Sequence, residues 1–269
     1  MAKKKNKFEK FKRMNEQIRL LKGDCLELMK DIPDKSIDAI ICDLPYGTTA
    51  CKWDTIIPFE PLWEQYERII KDNGAICLFG SEPFSTYLRI SNITNYKYDL
   101  IWEKHKPSNF ALAKKQPMKY HENISVFYKK QPTYNPQMIK RDSERIQQGQ
   151  NVNYVGTSVN HGELNSLKTI SRNFNKYNAT EKLPSSILKF NAVQSNSKEK
   201  FPHPTQKPVA LIEYLIKTYT NEGELVLDNA MGSGTTGIAC LNTNRRFIGI
   251  EKEKQYYDVA VRRLSEYCG

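Results

Sequence analysis

Four consecutive residues, Asp43, Leu44, Pro45 and Tyr46, have the clearest potential for chemistry in this sequence. They follow the apolar stretch 38–42, which is typical of a buried strand, so a carboxylate, a main-chain carbonyl and an aromatic ring would meet at the ligand-binding edge of a sheet. This trio suits a planar ring that carries an amino group: Asp43 and the Leu44 carbonyl accept its two hydrogens, and Tyr46 stacks on its face. Taken alone, the four residues also fit an ordinary strand-to-loop turn.

A second candidate site lies near the C-terminal end, where an apolar strand ends in Asp228 and a glycine-rich turn follows. Gly232 and Gly234 would let a ligand approach the backbone at the start of a helix. Glu251 comes about 20 residues later, at the end of another apolar run, and suits hydrogen bonding to the hydroxyls of a ribose. The combination indicates a cofactor that contains adenosine.

The same glycine spacing leaves one alternative open and argues against another. Gly232, Gly234 and Gly237 match the dinucleotide pattern G-x-G-x-x-G, so an NAD-dependent oxidoreductase has to be considered. The lysine and hydroxyl residue that end a P-loop are missing, which argues against binding of a nucleoside triphosphate.

Together with the segment HPTQKP at 203–208, these two motifs make the chain resemble the beta group of S-adenosylmethionine-dependent DNA amino-methyltransferases, which modify adenine-N6 or cytosine-N4. The order also matches, with the catalytic motif first and the glycine motif last. The resemblance implies that residues 43–46 are catalytic. It further implies cofactor binding by Asp24, Cys25, His203, Thr205, Lys207, Asp228, Gly232, Gly234, Thr235, Thr236 and Glu251.

Leu44 departs from the family pattern, and Asp24 fits two roles. The family usually has proline where this chain has Leu44, so the carbonyl is kept but one rigid φ angle is lost. In a circularly permuted sheet, Asp24 would lie at the end of the strand that precedes the catalytic one, where the resemblance implies an acidic side chain against the adenine of the cofactor. Asp24 also suits the N-cap of a short helix, and the two roles are compatible.

The pattern of apolar residues predicts the elements that must position these motifs. We expect strands near 17–21, 38–42, 75–79, 98–102, 124–128, 225–227 and 247–250. Helices are expected over 59–71, ended by Gly74, over 209–219, from about 235, and over 255–267. The resulting fold class is α/β: a Rossmann-like methyltransferase fold with a mostly parallel sheet, helices on both faces, circular permutation and an inserted target-recognition region.

The charge is unevenly distributed, which suggests the domain organisation. The chain has 41 basic and 30 acidic side chains, and residues 104–200 contain seventeen basic and six acidic ones mixed with aromatic rings. Such a mixture is typical of a nucleic-acid surface. We expect a basic tail (1–14), a methyltransferase domain (15–130 and 201–269) and a target-recognition insert (131–200). A solvated tail and a disordered linker are the alternatives.

Composition limits the setting in which the chain works. No apolar run in the 269 residues is long enough to span a bilayer, and the lysine-rich start has no apolar signal region. The six scattered cysteines include no CxxC pair, so we expect reduced thiols and no metal site. These features favour a cytoplasmic protein of a bacterium or phage, associated with the nucleoid.

We therefore expect a site-specific enzyme that methylates the amino group of a flipped-out adenine in double-stranded DNA. Asp at position 43 favours adenine over cytosine-N4 within the family that the chain resembles. A homodimer and a cognate restriction endonuclease are further expected partners. The alternatives are a methyltransferase acting on RNA or a protein amide, and a DNA-binding module that kept the fold without catalysis.

Overall fold

The computed structural model describes residues 17–47, 54–141, 180–193 and 206–268. The chain divides into two compact units: Met1–Asn135 with Ser186–Gly269, and Pro136–Ser185. Within the described residues, the smaller unit contains a two-stranded antiparallel ladder, β6 (Ile139–Lys140) with β7 (Glu181–Lys182).

The larger unit is built on an eight-stranded sheet in the order β1-β10-β9-β2-β3-β5-β4-β8. The strands are β1 (Ile18–Lys22), β2 (Ile37–Cys42), β3 (Ile70–Gly80), β4 (Tyr96–Glu103), β5 (His121–Phe127), β8 (Ile187–Lys189), β9 (Leu225–Asp228) and β10 (Arg246–Glu251). Five of the neighbouring pairs are parallel, and only the two pairs that include β5 are antiparallel. The predicted mostly parallel sheet is confirmed.

Helices cover both faces of this sheet, as predicted. They are α1 (Cys25–Leu28), α2 (Phe59–Ile69), α3 (Phe84–Ser91), α4 (Val209–Tyr219), α5 (Thr235–Asn242) and α6 (Lys254–Cys268). Successive residues of β2 belong to different cores: Ile40 packs with α2 and α3, whereas Ile41 packs with α4 and α5. The continuous apolar run of β2 is therefore explained, because side chains alternate between two buried faces.

The expected end of the helix over 59–71 is wrong. Helix α2 ends at Ile69, and Ile70–Gly80 forms a single strand that includes Gly74. A Cβ atom on Gly74 would lie 2.7 Å from the Ile70 side chain and 2.8 Å from the Asp38 carbonyl oxygen. Gly74 is thus required by close packing at the start of β3 and does not end the helix.

Strand β5, which is antiparallel to both of its neighbours, places the β4–β5 connection at the carboxyl edge of the sheet. Because β5 is antiparallel to both β3 and β4, its first residues pair with the last residues of those strands: Asn123 with Gly80, and His121 with Glu103. The β4–β5 connection (104–120) is therefore at the carboxyl edge, where Lys119 also bonds to Ser81. Within the described ranges, no helix has the length and apolar character needed to cross a membrane.

Candidate active site

A cavity of about 370 Å³ opens at the carboxyl ends of β1, β10, β9 and β2. Each of these strands has an acidic residue at its end or within two residues after it that lines the cavity, namely Asp24, Glu251, Asp228 and Asp43. The two candidate sites thus share one cavity. We call its two sides, with the side chains directly behind them, the catalytic wall and the cofactor wall. The catalytic wall has Asp43 and Lys207 in the lining and Tyr46 and Glu122 in contact with them. The cofactor wall has Asp228, Gly232, Thr236 and Glu251 in the lining and Gly234 at the start of α5.

The turn after β2 orients the candidate catalytic side chains. The Tyr46 hydroxyl donates a hydrogen bond of 2.5 Å to Asp43 Oδ1, and the Tyr46 ring packs on Phe84 with 5.0 Å between the ring centroids. Pro45 lines the cavity, whereas the Leu44 side chain is 3% exposed and belongs to the core beneath it. The side chain of Leu44 therefore anchors the turn in the core.

A row of alternating charges continues from Asp43 away from the cofactor wall. Lys207 Nζ lies 2.5 Å from Asp43 Oδ2 and 3.3 Å from Glu122 Oε2, and Lys104 Nζ lies 2.9 Å from Glu122 Oε1. Lys207 and Lys104 are 8% and 6% exposed. Because a buried charge requires a nearby opposite charge, these four side chains depend on each other.

This arrangement shifts the pKa values of the catalytic wall in different directions. Burial raises the pKa of Asp43, and the nearby Glu122 adds to this, although the Lys207 ammonium acts against it. Burial would also raise the pKa of Glu122, but Lys207 and Lys104 hold it below its ordinary value. Burial would lower the pKa of Lys207, yet Asp43 and Glu122 hold it above its usual range. Lys207 is therefore a cation at neutral pH.

The cofactor wall depends on backbone geometry instead. Gly234 has a φ angle of +75° at the start of α5, and a Cβ atom there would lie 3.1 Å from Ala260 Cβ. The Gly232 N–H donates a 2.9 Å bond to Glu251 Oε2, and the Thr236 hydroxyl donates a 2.6 Å bond to Asp228 Oδ2. The turn thus requires glycine at position 234, and its neighbours hold the two carboxylates in place.

Both carboxylates of the cofactor wall are buried. Burial raises the pKa of Asp228 to about 6, against the hydrogen bonds from Thr236 and the Ala230 N–H. Burial likewise raises the pKa of Glu251, in spite of the N–H groups of Gly232 and Glu253. A cationic ligand beside Asp228 would favour the ionised form of this carboxylate.

Asp24 performs the capping role that the sequence predicts and also lines the cavity. Its Oδ1 accepts a 3.0 Å bond from the Leu26 N–H at the start of α1, and its Oδ2 lies 3.1 Å from Lys252 Nζ. Burial would raise the pKa of Asp24, but the bonds from Lys252 and Leu26 keep it low. Cys25 is buried beside it, and burial raises the pKa of its thiol.

One buried donor on this side is only weakly satisfied. Asn229 is 3% exposed and lines the cavity, and among the described residues its Nδ2 has the Cys25 thiol as a partner without the geometry of a full hydrogen bond. Its Oδ1 accepts a 2.5 Å bond from the Tyr66 hydroxyl, which fixes the orientation of the amide. An acceptor on a bound molecule would satisfy Nδ2, so these residues fit a cofactor that combines acceptors, ribose hydroxyls and a positive charge.

Most of the residues predicted from the sequence border the cavity. Those that line it are Asp24, Cys25, Asp43, Pro45, Lys207, Asp228, Gly232, Thr235, Thr236 and Glu251. Leu44, Tyr46 and Gly234 support it from behind, while His203 and Thr205 lie outside the described residues. The sequence analysis missed Glu122 and Asn229. Asn229 directly follows Asp228 in the glycine-rich segment and so had a local signal, whereas Glu122 is the second residue of β5 and had none.

Lys207 lines the cavity that the two walls share, and its charged partners are Asp43 and Glu122. The resemblance assigned it to the cofactor, and its ammonium contacts Asp43 and lies 5.1 Å from the centroid of the Phe79 ring. In this structure Lys207 therefore belongs to the catalytic wall by contact.

Two named proteins have similar sequences over most of their length. The chain is 30% identical over 265 residues to the DNA adenine methyltransferase YhdJ of Escherichia coli (strain K12), which covers 93% of this chain and 83% of that protein. It is 29% identical over 262 residues to the type II methyltransferase M.HpaI of Haemophilus parainfluenzae, covering 93% and 76%.

Solved structures support the same relationship. The crystal structure of the M1.HpyAVI-SAM complex is similar with a TM-score of 0.60 and 28% identity, covering 92% of this chain and 98% of that one. The cytosine-N4-specific PvuII DNA methyltransferase shares the fold, with a TM-score of 0.62, 16% identity and coverage of 94% and 91%. Residues 37–262 match the model of the N6_N4_Mtase family, described as DNA methylase. The chain therefore belongs to this DNA methylase family, which confirms the resemblance inferred from its three motifs.

Proposed function

We propose that this chain transfers a methyl group from S-adenosylmethionine to the N6 amino group of an adenine in a specific DNA sequence. One observation carries the proposal: the Asp43 turn and the glycine-rich turn border the same cavity. A methyl donor held at one wall would thus face an amino group held at the other, and such alignment is the main requirement of a displacement reaction.

The cofactor wall has the groups that this donor needs. Glu251 would accept hydrogen bonds from the ribose hydroxyls, Asp24 would face the adenine, and the turn around Gly232 would lie against the methionine part. Asn229 Nδ2 would donate to an acceptor of the cofactor, and Asp228 would favour its positive charge. S-adenosylmethionine supplies an electrophilic methyl group on a sulfonium. The crystal structure of the similar protein M1.HpyAVI in complex with SAM supports this choice of cofactor.

The catalytic wall would increase the reactivity of a poor nucleophile. The lone pair of the adenine amino group is delocalised into the ring, so Asp43 and the Leu44 carbonyl would accept its two hydrogens and stabilise the developing positive charge. Asp43 has to be ionised for this, and it accepts no proton until the methyl group is attached. The Tyr46 ring, supported from behind by Phe84, would stack on the base.

A base in a duplex has to leave the stack to enter this cavity, so we include base flipping in the proposal. Stacking on Tyr46 would recover about 1–3 kcal/mol of the lost stacking energy. The lysines of the β4–β5 connection would bind phosphates, since this segment lies at the same edge of the sheet as Asp43. We assign sequence reading to the insert at 131–200 and additional phosphate binding to the tail at 1–14, most of which lie outside the described residues.

Cytosine-N4 is the second candidate target. The relationship to YhdJ, named a DNA adenine methyltransferase, and the aspartate at position 43 favour adenine. The cytosine-N4-specific PvuII enzyme has the same fold at much lower identity. Relatives named type II methyltransferases support our further proposal that the chain works in the cytoplasm on chromosomal DNA beside a cognate restriction endonuclease. We also propose a homodimer, which light scattering on the purified chain would test.

The decisive experiment identifies base and motif together. The chain is expressed in a bacterial host without its own DNA methyltransferases, and the genomic DNA is read by single-molecule sequencing. We expect N6-methyladenine in one short motif, absent from cells with the empty vector. N4-methylcytosine would select the second candidate. If neither base appears, and labelled methyl transfer goes to RNA or protein or to none of the three, the proposed function is wrong.

A further inference from the structure

In the structure both oxygens of the Asp43 carboxylate are already bound. Tyr46 donates to Oδ1 and Lys207 to Oδ2, each at 2.5 Å. The Lys207 ammonium also lies 6.0 Å from the centroid of the Tyr46 ring, in the region where the target base would stack. An amino group that approaches Asp43 therefore meets Lys207 at the same oxygen.

Lys207 would also oppose the reaction electrostatically if it stayed there. The target amino group becomes positively charged as the methyl group is transferred, and a buried ammonium close to it raises the energy of that state. Asp43 can stabilise the developing charge only if the charge of Lys207 is neutralised by another group. The site thus needs a second acceptor within reach of Lys207.

Glu122 meets this requirement. Its Oε1 is held by Lys104 Nζ at 2.9 Å, so the carboxylate is fixed in position. Its Oε2 is buried and already forms an ion pair with Lys207 Nζ at 3.3 Å, a contact that is longer than the 2.5 Å contact of Lys207 with Asp43 and lacks the geometry of a full hydrogen bond. A small movement of a flexible side chain would complete that bond.

We infer that Glu122 is a positioning residue that accepts Lys207 when the target amino group enters the site. This inference rests on the proposed function. The Nζ–H bond to Asp43 Oδ2 is exchanged for one to Glu122 Oε2, and an N–H of the target takes the vacated oxygen. No covalent bond changes and no proton is transferred in this exchange. Lys207 then keeps a neutralising partner throughout the reaction.

The test replaces Glu122 by glutamine, which keeps the shape and removes the charge. In Glu122→Gln, Lys207 has only Asp43 as an anionic partner and blocks the amino group. We expect kcat for methylation of a duplex carrying the motif found by sequencing to fall about tenfold or more at neutral pH. The affinity for S-adenosylmethionine, measured by calorimetry, should stay within about twofold of the wild type, because Glu122 does not line the cofactor wall.

The pH dependence separates this role from a structural one. Without Glu122, burial lowers the pKa of Lys207 with only one carboxylate acting against it, so this lysine should lose its proton at a lower pH than in the wild type. The rate of the variant should therefore rise on going to alkaline pH more steeply than that of the wild type. The other ionisable groups around the pair and its carboxylate partner are Asp43, Cys42, Tyr46, Lys104, Lys119 and Asp228. They are the same in both proteins.

A matched control is available on the neighbouring strand. Glu103 pairs with Lys189 at 3.5 Å with its side chain 45% exposed, so Glu103→Gln removes an equivalent charge and an ion pair outside the site. We expect its rate and pH profile to match the wild type. If Glu122→Gln is insoluble, Glu122→Asp serves instead, and an intermediate rate with the same alkaline rise is expected.

Three results would overturn the inference. The first is a Glu122 variant with a rate within about twofold of the wild type at neutral pH. The second is a loss of rate that is independent of pH and accompanied by a lower Tm, which would assign Glu122 a structural role. The third is a wild-type chain that methylates no DNA; in that case the proposed function fails first and the inference falls with it.

Discussion

The two walls of the cavity hold their charged groups in different ways. On the cofactor wall, Glu251 is bound by main-chain N–H groups and Asp228 by a short threonine side chain, next to a turn that only glycine can form. On the catalytic wall, long side chains such as Lys207 bind each other and have more than one partner within reach. A cofactor of constant shape suits the first arrangement, whereas a base that enters and leaves suits the second.

The catalytic wall should be the more sensitive to loss of a single charge. We expect Asp43→Ala to lower the methylation rate about a thousandfold or more, since it removes the acceptor for the reacting amino group. Binding of S-adenosylmethionine and of duplex DNA should persist, as measured by calorimetry and fluorescence anisotropy. The matched control is Asp258→Ala on α6, which removes an exposed ion pair with Lys254 and should keep full activity. An active Asp43→Ala enzyme would remove this residue from the mechanism.

The cofactor wall should instead be most sensitive to a substitution that changes its backbone conformation. Gly234→Ala should weaken binding of S-adenosylmethionine about tenfold or more, because alanine is strained at a φ of +75° and its Cβ is crowded by Ala260. Gly223→Ala is the control, because Gly223 has a φ of +80° but an added Cβ would meet no atom within 4 Å.

Gly223→Ala should lower the free energy of unfolding by about 1–2 kcal/mol, the cost of alanine at a positive φ angle, and should leave the cofactor affinity unchanged. Calorimetry gives the affinity and thermal unfolding the stability. Equal effects of the two substitutions on cofactor affinity would show that the position of Gly234 has no special importance.

A pH titration should distinguish the walls by their carboxylates. The pKa of Asp228 is about 6 in the free protein, and a bound cation would lower it. Binding of S-adenosylmethionine should therefore release a proton, and its affinity should fall about tenfold between pH 7 and pH 5. Calorimetry in buffers of different ionisation enthalpy would measure the proton.

The raised pKa of Asp228 has the opposite consequence for the stability of the protein without cofactor. Because the folded-state pKa of Asp228 is above its unfolded value of about 3.8, this group favours folding most at low pH. Its contribution to the free energy of unfolding declines as pH rises from about 4 to about 6. Asp228→Asn should abolish both the proton release and this part of the pH dependence. A proton release that persists in Asp228→Asn would assign it to another group, such as Glu251.

The smallest effect is expected outside both walls, in the β4–β5 connection. Replacing the exposed Lys114 and Lys115 by alanine should weaken DNA binding several-fold and reduce the salt slope of binding by about 2, because each lysine neutralises about one phosphate. The sequence preference should not change. Lys35 and Lys130 are the control pair, since both are exposed and pair with Asp72 near the opposite ends of the strands. Equal salt slopes for the two double variants would show that the β4–β5 connection does not bind DNA.

Much of this architecture could be predicted because its signals are local. The strand ending at Asp228, the glycine turn and the helix from Thr235 form one continuous segment whose apolar run and glycines define each step. Helix α4 matches the range predicted from its apolar spacing. In both cases the residues that determine the structure are close together in the sequence.

The features that were missed depend on contacts between distant segments. The helix end predicted at Gly74 is wrong because the crowding of this glycine by the Asp38 carbonyl arises from the pairing of β2 with β3, which the local sequence does not show. Glu122 lies near the start of its strand, and it reaches the ligand edge only because β5 runs against its neighbours. Strand direction within a sheet is not encoded in the local pattern, so a search after the ends of strands could not find this carboxylate.

The burial of Leu44 has a consequence for how the enzyme responds to temperature. A proline at this position would restrict the chain covalently, with a stiffness that hardly changes between cold and warm conditions. Here the side chain of Leu44 restrains the loop by packing in the apolar core, and such packing weakens on cooling. On cooling, the loop around Asp43 should therefore lose conformational order faster than the same loop in a relative with proline at this position.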